Sequence, residues 1–75
     1  MTKETKLIES LGYNLKEMNS GKNEYRSWTT YIYTHPNGNS LLYNDSDEVL
    51  IVRNSNRHII LEGRFKLNIE TLKNL

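Results

Sequence analysis

Apolar and polar positions change rhythm along this chain, and each rhythm predicts an element. Leu7, Ile8 and Leu11 recur at i, i+1 and i+4, the stripe of a short amphipathic helix. Thr2 stands before it as an N-terminal cap, and Gly12 follows where a left-handed C-terminal cap belongs. The predicted helix has about 9 residues and a length of roughly 14 Å. The period then falls to two. Tyr13, Leu15 and Glu17 alternate with Asn14 and Lys16, which predicts a short strand over 13–18. Asn19-Ser20-Gly21-Lys22-Asn23 reads as a turn. Residues 24–34 are rich in β-formers, among them Tyr25, Trp28, Tyr31, Ile32 and Tyr33, and predict the next strand.

The segment His35-Pro36-Asn37-Gly38 offers two turns. A two-residue loop at Asn37-Gly38 would place Pro36, which has no N–H, in the ladder. A three-residue loop instead puts Pro36 and Asn37 in a type I turn, with Gly38 left-handed after it. The second is preferred. It pairs Tyr33 with Leu41, Ile32 with Leu42 and Tyr31 with Tyr43. One face then carries Tyr31, Tyr33, Leu41 and Tyr43, and the other carries Trp28, Thr30, Ile32 and Leu42.

Asn44 to Asp47 turns the chain again. Val49-Leu50-Ile51-Val52 and His58-Ile59-Ile60-Leu61 are continuous apolar runs joined at Asn54-Ser55-Asn56. Such strands are covered on both sides. Leu50, Val52 and Ile60 are expected on one side; Val49, Ile51, Ile59 and Leu61 on the other. Gly63 ends the last strand, and Asn68 caps a final helix carrying Ile69, Leu72 and Leu75. The whole is one α+β domain over residues 1–75. An antiparallel meander of four or five strands carries a short N-terminal helix and a short C-terminal helix on one face. Two short helices cover one face only. Val49, Ile51, Ile59 and Leu61 are therefore candidate interface residues, and a second copy of the chain is the simplest partner.

Composition narrows the functions. The 75 residues contain no Cys, which excludes disulfides, thiolate zinc sites and thiol catalysis. Ten basic and nine acidic residues leave a net charge of +1, unlike a strongly basic nucleic-acid clamp. No apolar run approaches the roughly 18 residues of a membrane span, and the N-terminus lacks a signal-peptide layout, so a cytoplasmic protein is expected. Asn44-Asp45-Ser46-Asp47-Glu48 lacks the glycine of a calcium loop and reads as an ordinary turn. His35 and His58 stand near turns without an orienting partner or nucleophile in a known order, so no catalytic residue is assigned. No metal or cofactor is expected. Tyr31, Tyr33 and Tyr43 are candidates for a base-stacking platform, with Arg53 and Arg57 as candidate anion contacts. A three-residue loop would set these two arginines opposite each other.

Leu11-Gly12-Tyr13 after a helix, the strand ending Tyr33-Thr34-His35-Pro36-Asn37-Gly38, and the terminal Thr71-Leu72-Lys73-Asn74-Leu75 resemble the HicA type of mRNA-interferase toxin. The resemblance implies a fold similar to double-stranded-RNA-binding domains, and with it RNA binding as an alternative function. Cleavage in that family depends on a His in a Gly-Ser-His stretch before the aromatic–His–Pro hairpin. Aligned through His35-Pro36, that His falls at Thr30, within Trp28-Thr29-Thr30, and neither it nor the Gly is present. The resemblance therefore implies the fold and not the nuclease. The expected role is a non-catalytic binding or regulatory module acting through protein contacts, of the kind used as bacterial or phage accessory factors.

Overall fold

Thr2 caps the first helix, α1 (Lys3–Ser10), reciprocally: Thr5 N–H donates to the Thr2 hydroxyl at 3.2 Å, and Thr2 N–H donates to the Thr5 hydroxyl at 3.1 Å. Past its C-terminal end Gly12 takes φ +97°, and its N–H donates to the Glu9 carbonyl at 3.0 Å. The computed structural model describes residues 2–75. Five strands follow: β1 (Asn14–Lys22), β2 (Ser27–Thr34), β3 (Ser40–Asn44), β4 (Val49–Arg53) and β5 (Ile59–Arg64). Helix α2 (Phe65–Lys73) ends the domain. Strand order is β1-β2-β3-β4-β5 and every pair is antiparallel, so the α+β meander has five strands.

The core lies on one side of this sheet. Tyr33, Leu41, Tyr43, Leu50, Val52 and Leu61 form it with Ile8 of α1 and with Phe65 and Leu72 of α2. The register explains the grouping, because residues directly opposite in an antiparallel pair share a face. Tyr33 faces Leu41, Leu41 faces Val52, and Val52 faces Leu61. Leu61 thus belongs to the core and not to the second face where it was expected. The reason is an irregularity between Val52 and Arg53: Val52 pairs with Leu61, but Arg53 pairs with Ile59. One extra residue, Ile60, sits in β5 and resets the alternation. Ile59 and Ile60 are both exposed, at 50% and 39%.

Three boundaries differ from the sequence pattern. First, β1 runs on to Lys22, through the stretch that reads as a turn. The indole of Trp28 lies on Gly21, and a Cβ there would meet it at 2.6 Å. That cover lets a glycine stay in a strand. The turn falls instead at Asn23, whose Oδ1 accepts from the N–H groups of Tyr25 and Arg26 at 2.8 and 2.9 Å. Second, α2 begins at Phe65 directly from β5, with no side-chain cap. Asn68 is inside it, donating to the Arg64 carbonyl at 2.7 Å. Leu75 lies beyond its end, 44% exposed. Third, Gly63 lies within β5 rather than ending it.

The loops after β2 and β4 are built alike. His35 N–H donates to the Asn39 carbonyl and Gly38 N–H to the His35 carbonyl, each at 2.9 Å. Asn54 N–H donates to the His58 carbonyl and Arg57 N–H to the Asn54 carbonyl, again at 2.9 Å. The left-handed position is Gly38 in one (φ +98°) and Arg57 in the other (φ +66°). Arg57 is therefore a bulge residue, and Arg53 faces Ile59; the two arginines are not opposed across the ladder. Opposite stability effects are expected at the two matching positions. Gly38→Ala should destabilise by about 1 kcal/mol or more, its Cβ meeting that of Ser55 at 2.9 Å. Arg57→Gly should stabilise by roughly 0.5 kcal/mol, by relieving a conformation that costs L-residues. Urea denaturation of both variants checks this, and equal destabilisation would refute it.

Candidate interaction surface

The three tyrosines proposed for base stacking lie on the helix side. Tyr33 and Tyr43 are 1% and 2% exposed, and Tyr31 packs between them with ring centroids 6.4 and 6.1 Å away. Tyr43 also meets Phe65 edge-on at 5.5 Å. Such packing leaves no face for a base, so the platform is not formed. Loss of hydration by burial pushes the Tyr33 hydroxyl up to about 12, helped by the negative charge of Glu9 and by Tyr31. Burial likewise pushes Tyr43 up to about 12, with smaller contributions from Glu4, Glu48, Asp45 and Tyr31. These are core phenols.

His35 is also spoken for. Its Nδ1 accepts from the Asn37 N–H at 3.0 Å, which leaves the proton on Nε2, donated to the Leu11 carbonyl at 3.1 Å. Its ring meets Tyr13 edge-on at 4.8 Å. The side chain ties the β2–β3 turn to the joint between α1 and β1. Thr30 hydrogen-bonds Asn44 Nδ2 at 3.2 Å. In the acidic turn, Asn44 Oδ1 accepts from the N–H groups of Ser46 and Asp47 at 3.0 and 3.2 Å. Asp45 Oδ1 accepts from the Thr29 N–H at 2.7 Å, extending β2 beyond the end of β3. Among the described residues there is no ligand-sized cavity and no cluster of three or more His, Asp or Glu placed to hold a metal. No helix among them is long and apolar enough to cross a membrane.

The other face of the sheet has a different character. Its central row runs Glu17–Ile32–Leu42–Ile51–Glu62 across the five strands. The row on one side is Asn14–Thr34–Ser40–Arg53–Ile59, and that on the other is Asn19–Thr30–Asn44–Val49–Arg64. Trp28 over Gly21 extends the face toward the β1–β2 tip. The buried side chains of both helices join the opposite side, so no helix or strand among the described residues packs over this one. Trp28, Ile32, Leu42, Val49 and Ile51 are only half-buried. Of the expected interface residues, Val49, Ile51 and Ile59 lie here.

The sequence pattern did not single out Trp28, Ile32, Leu42 and Ile60 as surface-forming. The pairing around Pro36 already places the first three on one face. Which face the helices take cannot be read, because both carry large apolar groups. The rim carboxylates Glu17 and Glu62 were missed, and the rim arginine Arg53 was read as an anion contact. Among the described residues the ion pairs are Arg26–Asp47 at 3.3 Å and Lys73–Glu70 at 3.6 Å, and neither involves Glu17, Glu62, Arg53 or Arg64. No protein-family profile, curated protein or solved structure matches the chain.

Proposed function

We propose that this chain is a non-catalytic binding module acting through protein–protein contacts at its open sheet face. The observation that supports it is a contiguous apolar field, Trp28, Ile32, Leu42, Val49, Ile51 and Ile59, with no element among the described residues across it. Contiguous exposed apolar patches on small domains mark contact sites. The absence of cysteine suits a cytoplasmic setting, in the manner of a bacterial or phage regulatory factor. The RNA-binding alternative rests on scattered arginines alone once Tyr33 and Tyr43 lie beneath the helices. A photo-crosslinking residue at position 51, in the chain expressed in its own cells, separates the two. A discrete protein adduct at 51, absent when the probe sits at position 66 on exposed α2, is expected. A nucleic-acid adduct, or none, would overturn the reading.

A further inference from the structure

The rim of the open face indicates what covers it. Carboxylates end the central row at both edges, Glu17 on β1 and Glu62 on β5. Guanidiniums stand in the two flanking rows, Arg53 on one side and Arg64 on the other. The rim therefore carries two negative and two positive groups around an apolar centre, none in an ion pair within the described residues. A surface for an anionic polymer would be positive throughout. A surface for a basic partner would be negative throughout. A surface that pairs charges with a copy of itself carries both signs, since the same patch supplies both sides.

The geometry of packed sheets brings these signs together. Superposed without rotation about a two-fold axis through Leu42, the central rows would align and carboxylate would face carboxylate. Sheets packed face to face cross at about 30° instead, because each is twisted. Glu17 and Glu62 stand two strand spacings from the centre, about 10 Å. A crossing of that size moves each end roughly 5 Å along the strands, most of the way to the next row. On the β4–β5 side both next rows carry an arginine. Either sense of crossing, with the axis along or across the strands, takes a carboxylate off its counterpart and beside Arg53 or Arg64 of the other copy.

We infer that the open face is an isologous dimer interface, in which Ile32, Leu42 and Ile51 meet their counterparts and one carboxylate of each copy, Glu62 with the axis across the strands or Glu17 with the axis along them, pairs with Arg53 or Arg64 of the other. This rests on the reading of the face as a protein-contact surface and names its partner. The face measures roughly 20 Å by 17 Å from its strand count and length. That is about half the roughly 800 Å² per partner of a standard interface, so the dimer is weak and concentration-dependent.

Charge exchange tests it. One variant carries Glu17→Arg and Glu62→Arg, making the rim wholly positive; the other carries Arg53→Glu and Arg64→Glu, making it wholly negative. Sedimentation across a concentration series should show wild type passing from monomer to dimer. Each variant alone should associate about tenfold or more weakly, and an equimolar mixture should regain or exceed the wild-type association. If a variant does not fold, wild type in rising salt reads the same pairs: its association should weaken as they are screened. Wild type that stays monomeric throughout, variants that associate as well as wild type, or a mixture no stronger than its components would each overturn the inference. A crosslink from position 51 to a different protein would overturn the dimer while leaving the contact surface standing.

Discussion

Between pH 10 and about 12 the domain is expected to lose stability progressively, through Tyr33 and Tyr43. Both phenols ionise near pH 10 in the unfolded chain and near 12 in the fold. Their folded values are raised, so the folded state holds these protons more tightly. Below pH 10 both are protonated in both states and stability does not depend on them. Above it the unfolded chain releases protons that the folded chain keeps, and unfolding is favoured by mass action. With both groups titrating, the slope is at most about 2.7 kcal/mol per pH unit, and solvent screening of the phenolates lowers it. A chain of this length has about 4–11 kcal/mol in all. Urea midpoints across the interval, read with tyrosinate absorbance, check it. Tyr33→Phe with Tyr43→Phe should abolish most of the loss. That pair of changes removes only the two hydroxyls and keeps the rings, so it should cost little at neutral pH. A midpoint that stays flat to pH 12 would refute the assignment.

An aspartate at two adjacent positions of β4 should have opposite outcomes. Val52 is fully buried in the core, whereas Ile51 faces the open side and is half-buried. Val52→Asp places a carboxylate among Leu41, Leu61 and the helices, a cost of several kcal/mol that is expected to unfold the chain. Ile51→Asp should leave circular dichroism and thermal unfolding close to wild type while removing self-association. If Ile51→Asp unfolds the chain as Val52→Asp does, the open face is closed within the monomer and the contact surface fails with it.

The β2–β3 hairpin was legible because each of its turn residues fits one place. Pro36 has no N–H to give a ladder, and Gly38 alone tolerates the left-handed position, so the register followed and with it the two faces from Trp28 to Tyr43. Elsewhere local signals were overridden by neighbours distant in sequence. Asn19-Ser20-Gly21 has turn composition, yet Trp28 covers Gly21 and keeps the strand straight. Arg57 carries no mark of a left-handed residue, so the β4–β5 loop was placed one residue too early and Arg53 was set against the wrong partner. The extra residue in β5 is equally silent in the sequence, and it alone moves Leu61 into the core. The tyrosines were grouped on the right face. Two helices, and not a ligand, turned out to occupy it.

Strand order that follows chain order has a consequence for how quickly and safely this sheet is made. Every strand pairs only with its neighbours in sequence, across loops as short as those at Pro36 and Ser55. Closing such short loops loses little chain entropy, and folding rates rise as contacts become more local. During synthesis each new strand meets its neighbour as it leaves the ribosome. The exception is the last step: Phe65 and Leu72 reach Tyr43 and the rest of the core only when α2 has been made. Until then only α1 covers the tyrosine side of the sheet, and the nascent chain has two apolar faces to protect.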